Sequence, residues 1–106
     1  APEDRDSYDP VGLAETIHHT TEERDHFRKL LGLGLTDAFR LFEQPEKSYS
    51  WWDYRMLGYQ KNRGLRIDHI LVSEELVAQV KACSIDRTPR KWPKPSDHAP
   101  VTLTLA

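Results

Sequence analysis

The sequence has one cysteine and no long apolar run, and these absences limit the possible classes of protein. A single thiol, Cys83, cannot form an internal disulfide, so nothing indicates an oxidising compartment. The longest apolar runs, such as residues 70–72, fall far short of the ~20 residues that span a bilayer, so no membrane partner is expected. The opening residues lack an initiator Met and the basic and apolar stretches of a signal or transit peptide, and we expect that the start is a cut.

The net charge is only −2, but its sign is unevenly distributed along the 106 residues. Residues 1–48 contain 6 Lys and Arg against 11 Asp and Glu, whereas residues 49–106 contain 9 against 6, a balance of +3. A basic second half weakly favours a polyanionic partner. With 38% hydrophobic residues and three Trp, the chain has enough apolar surface for one folded domain.

Two helices are predicted before residue 35. Residues 11–18 have apolar positions at roughly helical spacing. Thr20 is the predicted N-cap of the second helix, with Glu23 three residues later as its capping-box partner. Gly32 or Gly34 is expected to end this helix, because glycine readily adopts the left-handed conformation that follows many helix ends.

Strands dominate the rest of the chain. Apolar, aromatic and β-branched patterns predict them at residues 49–55, 66–73, 80–86 and in the closing APVTLTLA. Cys83 is predicted to be a buried thiol in the third of these strands. A brief helical turn is expected at residues 74–80, and a basic, proline-stiffened loop at residues 87–95. Two helices followed by about four strands predict an α/β (α+β) fold with helices on one face of a largely antiparallel sheet.

The closing loop contains two adjacent ionisable residues, Asp97 and His98, just before the last strand. Neighbouring side chains diverge on an extended backbone, so each of them needs a partner of its own. A carboxylate on one ring nitrogen would hold His98 in one tautomer and leave the other nitrogen for a substrate. The alternative is structural, namely a loop in which Ser96 and Asp97 cap the following turn.

Asp68 lies inside the apolar segment IDHIL, where a buried carboxylate is costly unless it is paired. His98 is the first candidate for its partner. Arg66, two residues away on the same side of an exposed strand, is the alternative.

The segment YSWWDYR, residues 49–55, is rich in aromatic side chains and ends in Arg55. Such rings can stack on bases or line a pocket. Core packing is the commoner use of paired aromatics, and the alternation of a strand predicts that one of Trp51 and Trp52 points inward and the other outward.

Three segments resemble, in order and spacing, the C-terminal half of bacterial exonuclease III, the abasic-site endonuclease family within the endonuclease/exonuclease/phosphatase superfamily. They are SWWDYR, NRGLRIDHILVS and PSDHAPV. The resemblance also covers GLTDAFR and the opening APEDRDSYDP, and so runs over nearly the whole chain. It implies that residues 1–106 are the C-terminal part of one such domain, with the N-terminal half absent.

The resemblance implies a role for several residues. His98 would contact and polarise the scissile phosphate, Asp68 would orient His98, and Asp97 would help to hold Mg²⁺ or Mn²⁺. Trp51 would line the pocket that accepts an extruded abasic sugar. The other residues that would contact DNA are Arg55, Asn62, Arg63, Leu65 and Arg66.

By the same resemblance, the whole protein would be a Mg²⁺-dependent DNA repair nuclease of the bacterial cytoplasm, associated with the nucleoid. It would act as a 3′–5′ exonuclease and abasic-site endonuclease on double-stranded DNA with abasic sites or 3′ ends. This chain would form half of a four-layer α/β sandwich, with a bare sheet face available for self-association. Because the family's Gly-Asp-x-Asn motif does not occur in it, we expect the chain alone to cleave DNA weakly or not at all.

Two other functions remain open on the sequence. A nucleic-acid-binding module without catalysis would use the basic loops at residues 61–66 and 87–94, with Trp51 or Trp92 stacking on bases. A sister phosphoesterase, such as an inositol-lipid phosphatase or a sphingomyelinase, would share the terminal Ser-Asp-His. The segments WWDYR and NRGLRIDHILVS favour the DNA enzyme.

Overall fold

The structure is a computed structural model that describes residues 1–14, 16, 20–54 and 57–105. Its helices and strands are α1 (Thr21–Gly32), β1 (Leu35–Asp37), β2 (Trp51–Trp52), β3 (Gly64–Leu65), β4 (Leu71–Ser73), α2 (Glu74–Val77), β5 (Val80–Ile85) and β6 (Val101–Leu105). Short 3-10 turns lie at Asp4–Asp6, Ala38–Leu41 and Thr88–Lys91. Neither α-helix of these described ranges is long and apolar enough to cross a membrane.

The strands form three antiparallel pairs, β1 with β4, β2 with β3 and β5 with β6. The longest pair, β5 with β6, places Cys83 opposite Leu103 and has an irregularity between Val80 and Ala82. The expected mixture of helices and antiparallel strands is therefore confirmed, although the strands are more numerous and shorter than the four that were predicted.

Helix α1 has the predicted cap. The backbone N of Glu23 donates to Thr20 Oγ1 at 3.0 Å, and the Thr20 hydroxyl donates to the Glu23 carboxylate at 2.9 Å. The helix ends at Gly32, and Gly34 beyond it has a φ of +96°. One of the two predicted terminator glycines thus closes the helix, and the other adopts the left-handed conformation after it.

The earlier predicted helix, residues 11–18, is not found in its described part. Residues 11–14 form turns, and the backbone N of Gly12 donates to Asp9 Oδ1 at 3.0 Å. Asp9 therefore organises a local turn, and Gly12 weakens helix formation through its chain entropy. Residues 15, 17 and 18 of the prediction lie outside the described residues.

The predicted strand at residues 66–73 is wrong in its first part, because only Leu71–Ser73 forms a strand there. The backbone N–H groups of Ile67 and Asp68 donate to the side chain of Ser50 at 3.1 Å each, and not to a neighbouring strand. The segment at residues 49–55, within its described residues 49–54, likewise contributes only Trp51–Trp52 to a strand. These breaks leave loops at the points where the candidate functional residues lie.

Among the residues that the structure describes, two buried clusters form the core. One contains Ala38, Phe39, Val72 and Cys83, and the other contains Tyr49, Trp52 and Ala99. Trp52 is 0% exposed while Trp51 is partly exposed, so the predicted inward and outward pair is confirmed. The prediction of a buried strand thiol is also confirmed, and burial raises the pKa of Cys83.

A buried ion cluster connects the start of the chain to the middle. Arg66 is 1% exposed, and its Nε lies 2.7 Å from Asp6 Oδ1 while its Nη2 lies 2.6 Å from Asp37 Oδ2. Arg40 also bonds to Asp6. Burial opposes ionisation of Asp6, but hydrogen bonds from the two arginines outweigh it and lower the pKa of that carboxyl. Arg66 therefore pairs with these two acids, and the alternative Asp68–Arg66 pair is wrong.

His69 borders this cluster, and its pKa predicts that the folded protein loses stability in acid. Burial, reinforced by the Arg66 cation, lowers the pKa of His69 from 6.5 to about 4. Between these values the folded protein binds fewer protons at this site than the unfolded chain does, so the contribution of neutral His69 to stability is complete above pH 6.5 and is lost as the pH falls toward 4. The shift corresponds to roughly 3 kcal/mol at most.

Replacing the imidazole by an amide should remove this loss. We expect His69→Gln to lose less of its free energy of unfolding between about pH 7 and about pH 4.5 than the unmodified chain does, because the contribution of the imidazole is gone. Urea unfolding at both values measures the difference, with His26→Gln on the exposed side of α1 as the matched control. If the free energy of unfolding fell equally between the two pH values in all three proteins, His69 would not be the cause of the loss.

Candidate functional site

Asp68 and His98 meet at the surface between two loops. Asp68 lies between β3 and β4, His98 lies just before β6, and His98 Nδ1 is 2.7 Å from Asp68 Oδ2. Both side chains are partly exposed, at 43% for His98 and 39% for Asp68. The expected pairing of Asp68 with His98 is therefore confirmed, and the pair is open to a ligand.

The bond fixes the imidazole in one form. An ionised carboxylate only accepts hydrogen bonds, so the proton of this bond lies on Nδ1 of His98. The other ring nitrogen, Nε2, is then available to a substrate. The predicted structural role of Ser96 coexists with this pair, since the Ser96 Oγ accepts from the backbone N of His98 at 3.1 Å and so caps the turn of the closing loop.

Asp97 lies on the other side of the imidazole. Its Oδ1 is 3.8 Å from His98 Nε2, and its Oδ2 accepts from Trp51 Nε1 at 3.0 Å. The backbone N of Trp52 donates to the carbonyl of Asp97 at 3.0 Å. The edge of β2 thus holds the closing loop and places a second carboxylate next to the free nitrogen of His98.

The residues expected to contact DNA differ in how far their side chains are exposed. Trp51 lies beside Asp97, and Arg63 is exposed in the loop before β3. Asn62 is partly exposed, but its amide oxygen accepts from Trp52 Nε1 at 3.1 Å, so part of its side chain serves the core. Arg55 lies outside the described residues.

Two of these expectations need correction. Leu65 is 4% exposed, and Arg66 is 1% exposed with its guanidinium bonded to buried acids. Neither side chain can reach a DNA backbone from these positions. The neighbouring glycine explains the tight packing here, because a Cβ on Gly64 would lie 2.5 Å from Trp52 Nε1.

The attachment of the basic loop at residues 87–95 was not predicted from the sequence. The guanidinium carbons of Arg87 and Arg90 lie 4.7 Å and 4.8 Å from the ring centroid of Tyr59, and both also face Trp52. Arg90 is buried and donates to the carbonyl of Ser96 in the closing loop. Cation–π contacts therefore anchor the loop beside the candidate site. Only the density of arginine in the loop could have indicated this.

The described residues provide an incomplete set of metal ligands. Within residues 1–14, 16, 20–54 and 57–105, no group of three or more His, Cys, Asp or Glu side chains could hold a metal ion. Asp97 could supply one carboxylate, although one of its oxygens is bonded to Trp51. Mg²⁺ is commonly held by one or two carboxylates together with water and substrate phosphate, so a contribution from Asp97 fits such a site without completing it.

Comparison with known proteins agrees with the geometry. Exodeoxyribonuclease III of Haemophilus influenzae is 47% identical over 81 residues, which are 76% of this chain and 30% of that protein. The structure of a 3′ phosphatase from Neisseria bound to a product DNA hairpin is 46% identical, with a TM-score of 0.95 over 100% of this chain and 41% of that one. An AP endonuclease structure from Archaeoglobus fulgidus is 33% identical, with a TM-score of 0.92 over 99% of this chain and 41% of that one.

These matches cover between 76% and 100% of this chain but only part of each relative. The chain spans 30%, 33% and 40% of the length of three curated relatives that it matches. The sequence of residues 7–98, which include the Asp68–His98 pair, matches that of the endonuclease/exonuclease/phosphatase family. The chain therefore belongs to the endonuclease/exonuclease/phosphatase family.

Proposed function

We propose that the chain is the C-terminal, phosphate-contacting part of a DNA repair nuclease of the exodeoxyribonuclease III type. The whole protein would hydrolyse DNA phosphodiesters at abasic sites and 3′ ends in the bacterial cytoplasm. The observation that carries the proposal is the exposed Asp68–His98 hydrogen bond of 2.7 Å, with Asp97 next to the free imidazole nitrogen. The relatives named exodeoxyribonuclease III and AP endonuclease support DNA as the substrate.

His98 would act on the phosphate through Nε2. Asp68 holds the proton on Nδ1 and fixes the plane of the ring, and the carboxylate stabilises positive charge on the imidazole. In the doubly protonated imidazolium, the Nε2–H would donate a hydrogen bond to a non-bridging phosphate oxygen, where negative charge increases during attack of water. The role of this chain is thus to stabilise charge and to orient the phosphate.

The metal and the remaining groups would complete the site. Asp97 would contribute one carboxylate to Mg²⁺ or Mn²⁺, and a bound divalent ion supplies Lewis-acid stabilisation of the phosphate. Trp51, fixed by its bond to Asp97, would form one wall of the pocket for the abasic sugar. Arg63 and Asn62 would lie against the DNA, and a DNA contact by Arg55 stays a prediction.

A substrate comparison tests the proposal. The chain would be mixed with the complementary N-terminal portion of a full-length relative, such as the Haemophilus influenzae enzyme. We expect Mg²⁺-dependent cleavage of a duplex with one abasic site, shortening of duplex 3′ ends, and little hydrolysis of bis-p-nitrophenyl phosphate. Rapid hydrolysis of the small ester without cleavage of DNA would instead support a sister phosphoesterase.

The basic loop favours DNA binding independently of catalysis. Residues 87–94 contain four cations and no acid, and Trp92 is 60% exposed. Arg87 and Arg90 face the aromatic core, so Lys91 and Lys94 are left exposed beside Trp92. A loop of this kind suits contact with phosphates, with the indole stacking on a base. The loop would therefore add to DNA binding by the nuclease.

Charge reversal in this loop should weaken DNA binding. For the double variant Lys91→Glu and Lys94→Glu, we expect weaker affinity for any duplex sequence and a salt slope reduced by about 2, one for each phosphate contact. Fluorescence anisotropy at several salt concentrations measures both quantities. The control, Lys29→Glu with Lys81→Glu, changes the same charge at exposed positions on α1 and β5. Equal effects of the two pairs would show that only net charge matters.

Self-association through a bare sheet face stays a prediction. In the four-layer arrangement that the family resemblance implies, this chain would supply one half, and an uncovered apolar sheet face would favour pairing of copies. Light scattering over a range of chain concentrations measures the mass. A monomeric mass at the highest concentration would contradict the prediction.

A further inference from the structure

We propose that Ser50 is a positioning residue for the Asp68–His98 pair. Ser50 lies directly before β2, is 0% exposed, and bonds to both of the loops that carry the pair. The inference rests on the proposed function, because the position of the pair matters for catalysis only if His98 acts on a phosphodiester.

Its side chain determines the path of the Asp68 loop. Ser50 Oγ accepts from the backbone N of Ile67 and from that of Asp68, at 3.1 Å each. These two consecutive amides converge on one oxygen, as in the concave backbone arrangements that bind anions, and not on a neighbouring strand. The hydroxyl therefore satisfies two backbone donors that the break after β3 leaves without a strand partner.

Its backbone holds the His98 loop. The carbonyl of Ser50 accepts from the backbone N of Ala99 at 2.7 Å, directly after His98. On the other side, the backbone N of Trp52 donates to the carbonyl of Asp97 at 3.0 Å. The backbone of His98 is thus held between two bonds to the segment that begins at Ser50.

Asp68 and His98 are 30 positions apart in the chain, and Ser50 bonds both to the backbone of Asp68 and to that of Ala99, which follows His98. The two attachments use different atoms of Ser50. Loss of the hydroxyl should therefore release the Asp68 loop while the backbone bond to Ala99 persists. Asp68 would then move relative to the imidazole, and the 2.7 Å bond would weaken.

Nuclear magnetic resonance of ¹⁵N-histidine in this chain tests the inference without any activity. In the unmodified chain, the Nδ1–H of His98 should give one tautomer signature and slow exchange with solvent. In Ser50→Ala we expect exchange at least about tenfold faster and mixed tautomers, as for a hydrogen bond that has lost its support. Ser50→Thr keeps the oxygen and should retain the signature. Ser84→Ala, an exposed serine on β5, is the matched control.

A variant of nearly the same volume distinguishes a local effect on His98 from misfolding. Ser50→Cys nearly preserves the volume but offers only a weak acceptor, so it should lose the His98 signature while the β5–β6 amides stay protected from exchange. An unchanged His98 signal in folded Ser50→Ala or Ser50→Cys would overturn the inference. Loss of β5–β6 protection in both variants would also overturn it, since it would show a general role in the core.

Kinetics separate this inference from the proposed function. In the mixture with the complementary portion, Ser50→Ala should lower kcat by about 10- to 100-fold and change KM little, because the reacting group is displaced and not removed. If the unmodified mixture does not cleave DNA, the proposed function fails while the resonance test of Ser50 still stands. If it cleaves DNA and Ser50→Ala is equally fast, Ser50 is not a positioning residue.

Discussion

Replacing Arg66 by alanine is expected to lower the free energy of unfolding by about 3–5 kcal/mol, a large part of the total stability of a small domain. The guanidinium is 1% exposed and bonds to Asp6 at 2.7 Å and to Asp37 at 2.6 Å. Its removal leaves the buried carboxylate of Asp37 without this cation and Asp6 with Arg40 alone. A buried charge that loses its partner is among the costliest defects in a protein. Urea unfolding followed by tryptophan fluorescence measures the change.

A matched variant separates burial from charge. Arg63 has the same side chain three residues earlier in the chain, but it is exposed. Arg63→Ala should therefore change the free energy of unfolding by no more than about 0.5 kcal/mol. A cost below about 1 kcal/mol for Arg66→Ala would contradict the account of the cluster, because paired buried charges that lose one member typically cost far more.

Replacing His98 by alanine should reduce the rate of DNA cleavage by about 10²–10³-fold in the mixture with the complementary portion. This is the usual effect of removing one donor to the developing charge of a transition state. Asp68→Asn should cause a smaller loss, since it retains the imidazole but weakens its orientation. The measurement is kcat on a duplex with one abasic site, with binding of the uncleaved duplex determined separately.

The double variant tests whether the two residues act as a unit. Asp68→Asn combined with His98→Ala should be no slower than His98→Ala alone, because an orienting group has no effect without the group it orients. His26→Ala on α1 serves as the control for loss of an exposed imidazole. Additive losses, or a loss of less than about threefold for His98→Ala, would show that His98 does not act on the phosphate.

The parts of the fold that could be predicted depend on neighbours in the chain. The Thr20 cap of α1 is encoded within four residues, and the alternating side chains of β6 identify it as a strand. The Asp68–His98 pair could be predicted because a carboxylate in an apolar segment requires a partner. In each case, a local rule of chemistry or geometry limits the possibilities.

Other features depend on residues that are distant in the sequence. Arg66 points inward because it meets Asp37 and Asp6, which are 29 and 60 positions away, so its own segment could not indicate burial. Ser50 has no local signature among its aromatic neighbours, yet its hydroxyl interrupts the predicted strand at residues 66–73. Long-range polar contacts of this kind override strand propensity.

The central claim is that this chain carries part of an active site that residues outside it complete. The most direct test measures cleavage of a duplex with one abasic site, with Mg²⁺ or with EDTA, by the chain alone, by the complementary N-terminal portion alone, and by their equimolar mixture. We expect Mg²⁺-dependent nicking only by the mixture. Steady Mg²⁺-dependent nicking by the pure chain would contradict the claim, as would an inactive mixture in which the two parts form a folded complex.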